Sequence, residues 1–343
     1  MNLHQAKFWE AIGEAKVRCN LCRFHCVIAD GRWGRCGVRE NRDGALFTLV
    51  YGRSIAENVD PIEKKPLYHF HPGSRSLSLA TVGCNFRCLH CQNYQISQFP
   101  HEQSGISGTK RLPQEVVEHA VESGSASIAY TYTEPTIFFE YAYDTAVLAK
   151  GAGIKNVFVT NGYTTTEALE SIAPYLDAAN VDLKGFSDRA YREVTGASLE
   201  GVLDCLRDYR RLGIWLEVTT LVIPGHNDSE DELRQIAAFI ADELGHDVPW
   251  HISAFYPTYK MLDRPPTPVS TLYLARDIGR QAGLEYVYLG NVDDPGAGDT
   301  VCPGCGQVVI RRRRLQSFEM ELTDNRCNHC QHMISGVALH GCN

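Results

Sequence analysis

The stretch Ser76-Leu77-Ser78-Leu79-Ala80-Thr81-Val82, followed by Gly83-Cys84-Asn85-Phe86-Arg87-Cys88-Leu89-His90-Cys91-Gln92-Asn93, decides the reading of this chain. The first part reads as a buried strand, and the second as a loop with cysteines at spacing C-x₃-C-x₂-C. An iron–sulfur cubane normally takes four thiolates. A loop offering three leaves one iron without a protein ligand. An open metal position lets a small molecule bind and react, the distinction that separates catalytic from structural zinc sites. A zinc knuckle or three unrelated thiols is the plain alternative.

Outward from this loop the chain alternates. Apolar, β-branched runs lie at Leu77–Val82, Ala126–Thr131, Asn156–Thr160, Ala179–Leu183, Ile214–Val222, Pro249–Phe255 and Glu285–Leu289. Helix-period segments lie between them, near 113–123, 135–150, 165–175, 199–212, 229–244 and 270–282. Pro113 suits a first helical turn, and Ser229 with Glu232 forms a capping-box pattern. Strand–helix units of this kind imply right-handed crossovers and a parallel sheet buried on both faces. The expected fold is α/β, a partial (β/α)6 TIM-type barrel over residues 76–295. Its site belongs at the C-terminal strand ends. Polar residues gather there: Cys84, Thr133-Glu134, Asn161, Asp182 with Lys184, Thr219-Thr220, and His251 with Ser253.

Two further cysteine groups flank the barrel. Residues 1–75 form a Cys-rich extension with Cys19, Cys22, Cys26 and Cys36, where Gly31, Gly34 and Gly37 let sulfurs converge. These thiolates suit a structural zinc or a complete iron–sulfur cluster, and a mixed set with His25 is an alternative. Residues 44–70 read as short strands with a turn at Asn58-Val59-Asp60-Pro61. Residues 296–343 carry Cys302, Cys305, Cys327 and Cys330 as two C-x₂-C knuckles of a zinc-ribbon or rubredoxin-like module, holding zinc or iron. Arg311 to Arg314 reads as a solvated turn or a contact for an acidic partner. Cys205 and Cys342 are left over.

Composition narrows the function. The 343 residues carry 44% hydrophobic and 22% charged side chains, as soluble globular proteins do. A net charge of −8 argues against general nucleic-acid binding. No run is long enough for a membrane span, and Met1 to Arg18 lacks the apolar region of a signal peptide, so a cytoplasmic location is expected. Thirteen cysteines grouped at ligand spacings indicate metal sites rather than disulfides.

The cysteine loop resembles the signature of radical S-adenosylmethionine (SAM) enzymes. There the unligated iron of a [4Fe–4S] cluster chelates SAM, and one electron cleaves it to methionine and a 5′-deoxyadenosyl radical. Longer strings are more specific. They are Asn58–Leu67, Ser127–Glu140, Val181–Phe186, Thr219–Gly225 with Asn227-Asp228, and Pro249-Trp250-His251. Together they resemble the AmmeMemoRadiSam system radical SAM proteins, a branch of the pyruvate formate-lyase activase-like enzymes. The resemblance runs from about Cys19 to Gly336.

It implies a cluster on Cys84, Cys88 and Cys91, an external one-electron reductant such as flavodoxin or ferredoxin, and AMMECR-type and Memo-type partners. In the activases a Gly-Gly-Glu-Pro segment binds the SAM amino group. Here Tyr132-Thr133-Glu134-Pro135 keeps the Glu and Pro but not the glycines. By the same resemblance Lys184, beside Asp182, meets the SAM carboxylate, His251 is the late-strand SAM contact, and Asn161 meets ribose or carboxylate. Structural roles stand beside each: a helix-terminal carboxylate, a buried ion pair, a hydrogen-bonded core histidine and a turn. The expected function is hydrogen abstraction from a substrate the sequence does not name. A glycyl-radical-enzyme activase and a non-catalytic metal scaffold are the alternatives.

Overall fold

The computed structural model describes residues 3–103, 105–313 and 315–340, so Arg314 and Cys342 lie outside the described residues. Its central sheet comprises β1 (Ala56–Pro61), β2 (Arg75–Ala80), β3 (Ser127–Tyr130), β4 (Lys155–Thr160), β5 (Ala178–Asp182), β6 (Trp215–Val222), β7 (Trp250–Ala254) and β8 (Val287–Gly290). Their order in the sheet is their order in the chain. Every pair from β2 to β8 is parallel. Only β1 is antiparallel, registered on β2 from Ala56↔Ala80 to Pro61↔Arg75.

Each apolar run has therefore become a strand. The turn expected at Asn58–Pro61 has not formed, because these residues belong to β1. Their polarity has another cause. Asp60 accepts from the buried Lys65 Nζ at 2.7 Å, Ser78 Oγ at 3.0 Å and Tyr132 Oη at 2.6 Å. A polar pair facing the inside of a sheet resembles a turn when only composition is read.

Among the described residues, seven helices longer than two turns or close to it accompany the strands: α1 (Pro113–Glu122), α2 (Phe139–Gly151), α3 (Thr166–Ile172), α4 (Asp188–Thr195), α5 (Leu199–Arg211), α6 (Glu230–Phe239) and α7 (Val269–Gln281). All but α4 fall on the expected periodic segments. That short helix buries only Tyr191, Val194 and Thr195, too few to set a period, though its Ser187 cap and left-handed Gly196 end are legible afterwards. Half of the capping box at α6 is made. Ser229 accepts from the Glu232 backbone N–H, but the Glu232 carboxylate turns to the Phe186 N–H at 2.6 Å and ties α6 to the loop after β5.

The two faces of the sheet differ. Trp250 lies fully buried on the helix side, close against Gly279 of α7. The other face carries Asn180, Glu217, Thr219 and His251, buried polar residues paired across neighbouring strands. Polar side chains accumulate on this face, while apolar packing on the opposite face stabilises the sheet.

Short antiparallel strands precede the sheet, and their apolar residues Val17, Leu21, Val38 and Leu46 join the same core as Leu77, Ile128 and Tyr130. A fully buried ion pair, Arg39–Glu140, ties this segment to α2. After β8 the chain forms the hairpin Val308–Arg313 and Gln316–Met320, with a separate small core that includes Cys302, Cys327, Val309, Ile310 and Tyr288. Arg312 is buried there, donating to Tyr68 O, Gly298 O and Thr300 Oγ1, which corrects the expectation of a solvated arginine turn. Arg311 does remain at the surface, paired with Glu319.

Gly83 joins β2 to the cysteine loop at φ +99°, where a Cβ would stand 2.6 Å from Val38 Cγ1 and 2.9 Å from Cys36 O. Only glycine adopts this conformation without strain. Gly83→Ala is expected to lower unfolding stability by about 2 kcal/mol, measured by anaerobic urea unfolding.

Candidate functional site

Cys84, Cys88 and Cys91 lie on one wall of a cavity of about 630 Å³. Glu134, Asn161, Asp182, Lys184 and His251 line the same cavity, so every central site residue expected from the sequence is brought to one place. The volume is in the range of small-molecule and cofactor sites. Burial pushes the Cys84 thiol well above its ordinary pKa and the Cys88 thiol up to about 12. As free thiols they would stay protonated, so the thiolates a metal needs must be stabilised by the metal itself.

The cysteine loop is pinned on several sides. Gly83 N donates to Ile96 O, Arg87 N to Thr195 O and Leu89 N to Val194 O, at 2.9–3.1 Å. Asn161 Nδ2 donates to Asn85 Oδ1 at 2.8 Å, and Arg35 Nε to Asn85 O at 3.0 Å. The carbonyl oxygen Asn161 Oδ1 and the buried His90 Nδ1 have no hydrogen-bond partner among the described residues.

Glu134 is 2% exposed and accepts from Thr136 N, Thr136 Oγ1, Thr160 Oγ1 and Asn161 N. Burial raises its pKa against these donors. Its carboxylate thus caps the turn before α2 and bridges two strand ends while facing the cavity. Tyr132, standing where the activase pattern has glycine, adopts φ +60°. The strain is offset by its hydroxyl on Asp60 and by Lys65 Nζ 4.8 Å from its ring. Its carbonyl accepts from Asn93 Nδ2 at 2.9 Å.

Lys184 Nζ donates to Asp182 Oδ2 at 2.6 Å, as strand alternation required. Burial opposes the lysine charge, yet Asp182 and Cys88 beside it hold its pKa above the ordinary value. His251 Nε2 meets Glu217 Oε2 at 2.6 Å, leaving Nδ1 as the ring nitrogen not engaged by this carboxylate.

Glu217 was not foreseen. Fully buried, it also accepts from Tyr68 N, His69 N and Trp215 Nε1. A lone carboxylate inside the apolar Ile214–Val222 run, in step with Thr219, is the signal that reveals it. Tyr68 and Leu315 line the cavity as well, the latter from the C-terminal hairpin turn. Lys64 and Lys65 line it too, and Asn291 does so from the segment after β8.

The flanking cysteines behave differently from one another. Cys302, Cys305, Cys327 and Cys330 have ligand atoms within 4.8 Å of one another, with Cys302–Cys330 at 3.6 Å and Cys305–Cys327 at 3.7 Å. One tetrahedral ion with metal–sulfur bonds near 2.3 Å sets sulfurs about 3.8 Å apart. The geometry fits a single zinc or iron. Cys19, Cys22, Cys26 and Cys36 line a second, small pocket without gathering as tightly. His25 is exposed, bonded to Asn20, and outside that pocket, so a ligand set including it is not formed.

Known proteins agree with this picture. Residues 78–240 match the model of the radical SAM superfamily. An uncharacterized protein of Methanocaldococcus jannaschii is 44% identical over 98% of this chain and 100% of its own length. The pyruvate formate-lyase-activating enzyme of Clostridium pasteurianum is 23% identical over 49% of this chain and 70% of its own. Among solved structures, a radical SAM methyltransferase from Sphaerobacter thermophilus shares the fold, with TM-score 0.50 and 15% identity over 72% of each chain. Residues 78–240 thus form a radical SAM domain, which makes the chain an iron–sulfur enzyme that uses a [4Fe–4S] cluster, SAM and a reductant. The reading as a non-catalytic metal scaffold falls away. Among the described residues no helix is long and apolar enough to cross a membrane.

The network beneath the cavity has a pH signature. His69 meets Ser335 O through Nδ1 at 2.6 Å and Tyr288 Oη through Nε2 at 2.5 Å, and burial pushes its pKa down to about 4. Unfolded, the imidazole returns to about 6.5. The unfolded chain therefore binds more protons between these values, so this contribution is complete above pH 6.5 and is lost as pH falls toward 4. A loss of up to about 3 kcal/mol over that window is expected from urea midpoints, and His69→Gln should flatten it.

Proposed function

We propose that Cys84, Cys88 and Cys91 hold the [4Fe–4S] cluster whose open iron binds SAM, and that the enzyme abstracts hydrogen from a substrate in the shared cavity. The observation that carries this reading is the convergence of the three-thiol loop with side chains from the ends of β3 to β7 on one cavity. Three cysteines lining the cavity, with Asn161 Oδ1 and His90 Nδ1 lacking partners among the described residues, fit a cluster and a zwitterionic ligand. When bound, cluster and SAM together supply the 5′-deoxyadenosyl radical.

The protein's part is to bind, orient and exclude water. Lys184 offers a cation to the SAM carboxylate, with Asp182 fixing its direction. Glu134 and the carbonyls near Tyr132 would hold the amino group, and Asn161 and the Nδ1 edge of His251 would take the remaining polar atoms. We read the sheet as a partial (β/α) barrel, supported by seven parallel strands in chain order and a cavity lined from their ends. Residues 1–75 and 296–343 flank it as metal-binding modules.

The strings Asn58–Leu67 and Ser127–Glu140 favour the AmmeMemoRadiSam branch, with AMMECR-type and Memo-type proteins as partners. A second reading, activation of a glycyl radical protein, draws on the likeness to the Clostridium pasteurianum enzyme. The shared chemistry is tested first: reconstituted protein with dithionite and SAM should form 5′-deoxyadenosine, and Cys88→Ala should not. Equal product from both would remove Cys88 from the site.

A further inference from the structure

We propose that Cys19, Cys22, Cys26 and Cys36 hold a second iron–sulfur cluster, which passes single electrons to the cluster on Cys84, Cys88 and Cys91. The relay rests on the function proposed above; the second cluster does not.

All four cysteines line one small pocket, together with Arg39 and Asn85. A cubane bears one thiolate on each iron, so its sulfurs stand farther apart than those around a single ion. That contrast is present within this chain. No three of the N-terminal sulfurs gather within 4.8 Å, as all four sulfurs of the C-terminal module do.

Two nitrogen donors of the pocket residues lack partners. Arg39 Nε and Asn85 Nδ2 are buried with no acceptor among the described residues, at side chains 1% and 0% exposed. Buried donors left unpaired are rare and call for an explanation. Sulfide and thiolate sulfur would accept from both, and Arg39 already donates to Cys19 Sγ at 3.3 Å. Arg39 is held there by its ion pair with Glu140, which leaves its Nε and Nη1 edges to meet sulfur.

The pocket adjoins the central site. Cys84 and Phe86 line the large cavity, and Asn85 between them lines the N-terminal pocket. One residue of backbone, about 3.8 Å from the next, separates the two. Gly83 sits against Cys36 O and Val38, leaving no room for a side chain between the cysteine groups. On the other side Cys22 and Cys26 are half-buried, and Val27 beside them is 57% exposed. An electron can therefore enter near the surface and leave toward Asn85.

The step balances. A reduced flavin or iron–sulfur protein gives one electron to the outer cluster. That cluster is reoxidised as it reduces the central cluster by one electron, and no proton or group is transferred.

The test begins with a Cys84→Ala, Cys88→Ala, Cys91→Ala triple variant, reconstituted anaerobically with iron and sulfide. It should retain about four sulfides per chain, with about four irons beyond any held by the C-terminal module, and Cys22→Ala with Cys26→Ala added should remove the sulfide. If the triple variant misfolds, wild-type protein answers the question, with about eight sulfides expected rather than about four. A triple variant without sulfide, whatever zinc it holds, or about four sulfides in wild type, would overturn the second cluster. The relay is read in Cys22→Ala, Cys26→Ala protein with the central loop intact. It should lose most 5′-deoxyadenosine formation with reduced flavodoxin while retaining it with titanium(III) citrate. An equal fall with both donors would make the site structural and overturn the relay. Wild-type protein forming no 5′-deoxyadenosine would instead overturn the reading of the central site, leaving the sulfide count of the triple variant to stand.

Discussion

For the proposed cluster, three thiolates from an eight-residue loop, Cys84 to Cys91, must face one point while the fourth direction stays open to the cavity. A free loop would not hold that geometry, since ordering each residue opposes folding by about 1–2 kcal/mol. The chain meets the constraint by anchoring the loop to three separate parts of the structure. The N-terminal segment holds it through Arg35 and the close approach at Gly83. The end of β4 holds it through Asn161, and the end of α4 through Thr195 and Val194. Each anchor comes from a different stretch of sequence, so the loop becomes rigid only when the whole domain has folded.

The same dependence explains the buried polar layer. Glu217 gathers backbone donors from Tyr68 and His69, an indole N–H and the His251 ring. Arg312 reaches in from the C-terminal hairpin to Tyr68 O. Unpaired, any of these groups would be destabilising in a low-dielectric interior, whereas paired they fix where the strand ends point. The four-cysteine module is thereby linked to the cavity floor, and Leu315 at its hairpin turn lines the cavity.

Much of this was legible in the sequence for a physical reason. Strands buried on both faces read as apolar runs, and the polar residues that interrupt or follow those runs line the cavity, as at Glu134, Asp182 and His251. What sequence could not show depends on partners distant along the chain. Asn58–Pro61 looked like a turn because what holds it in the sheet, pairing with β2 and the Lys65 and Tyr132 side chains on Asp60, lies elsewhere in the chain. Arg312 looked solvated because its acceptors at Tyr68, Gly298 and Thr300 lie in other segments. Likewise α4 was missed because only one short face of it is buried.

The account stands on one iron that the protein leaves unligated. Mössbauer spectroscopy of anaerobically reconstituted ⁵⁷Fe protein, recorded with and without SAM, tests it most directly. The account predicts a cubane in which a single iron changes its isomer shift and quadrupole splitting when SAM is added. Spectra unchanged by SAM, or the absence of any cubane that depends on Cys84, Cys88 and Cys91, would contradict it.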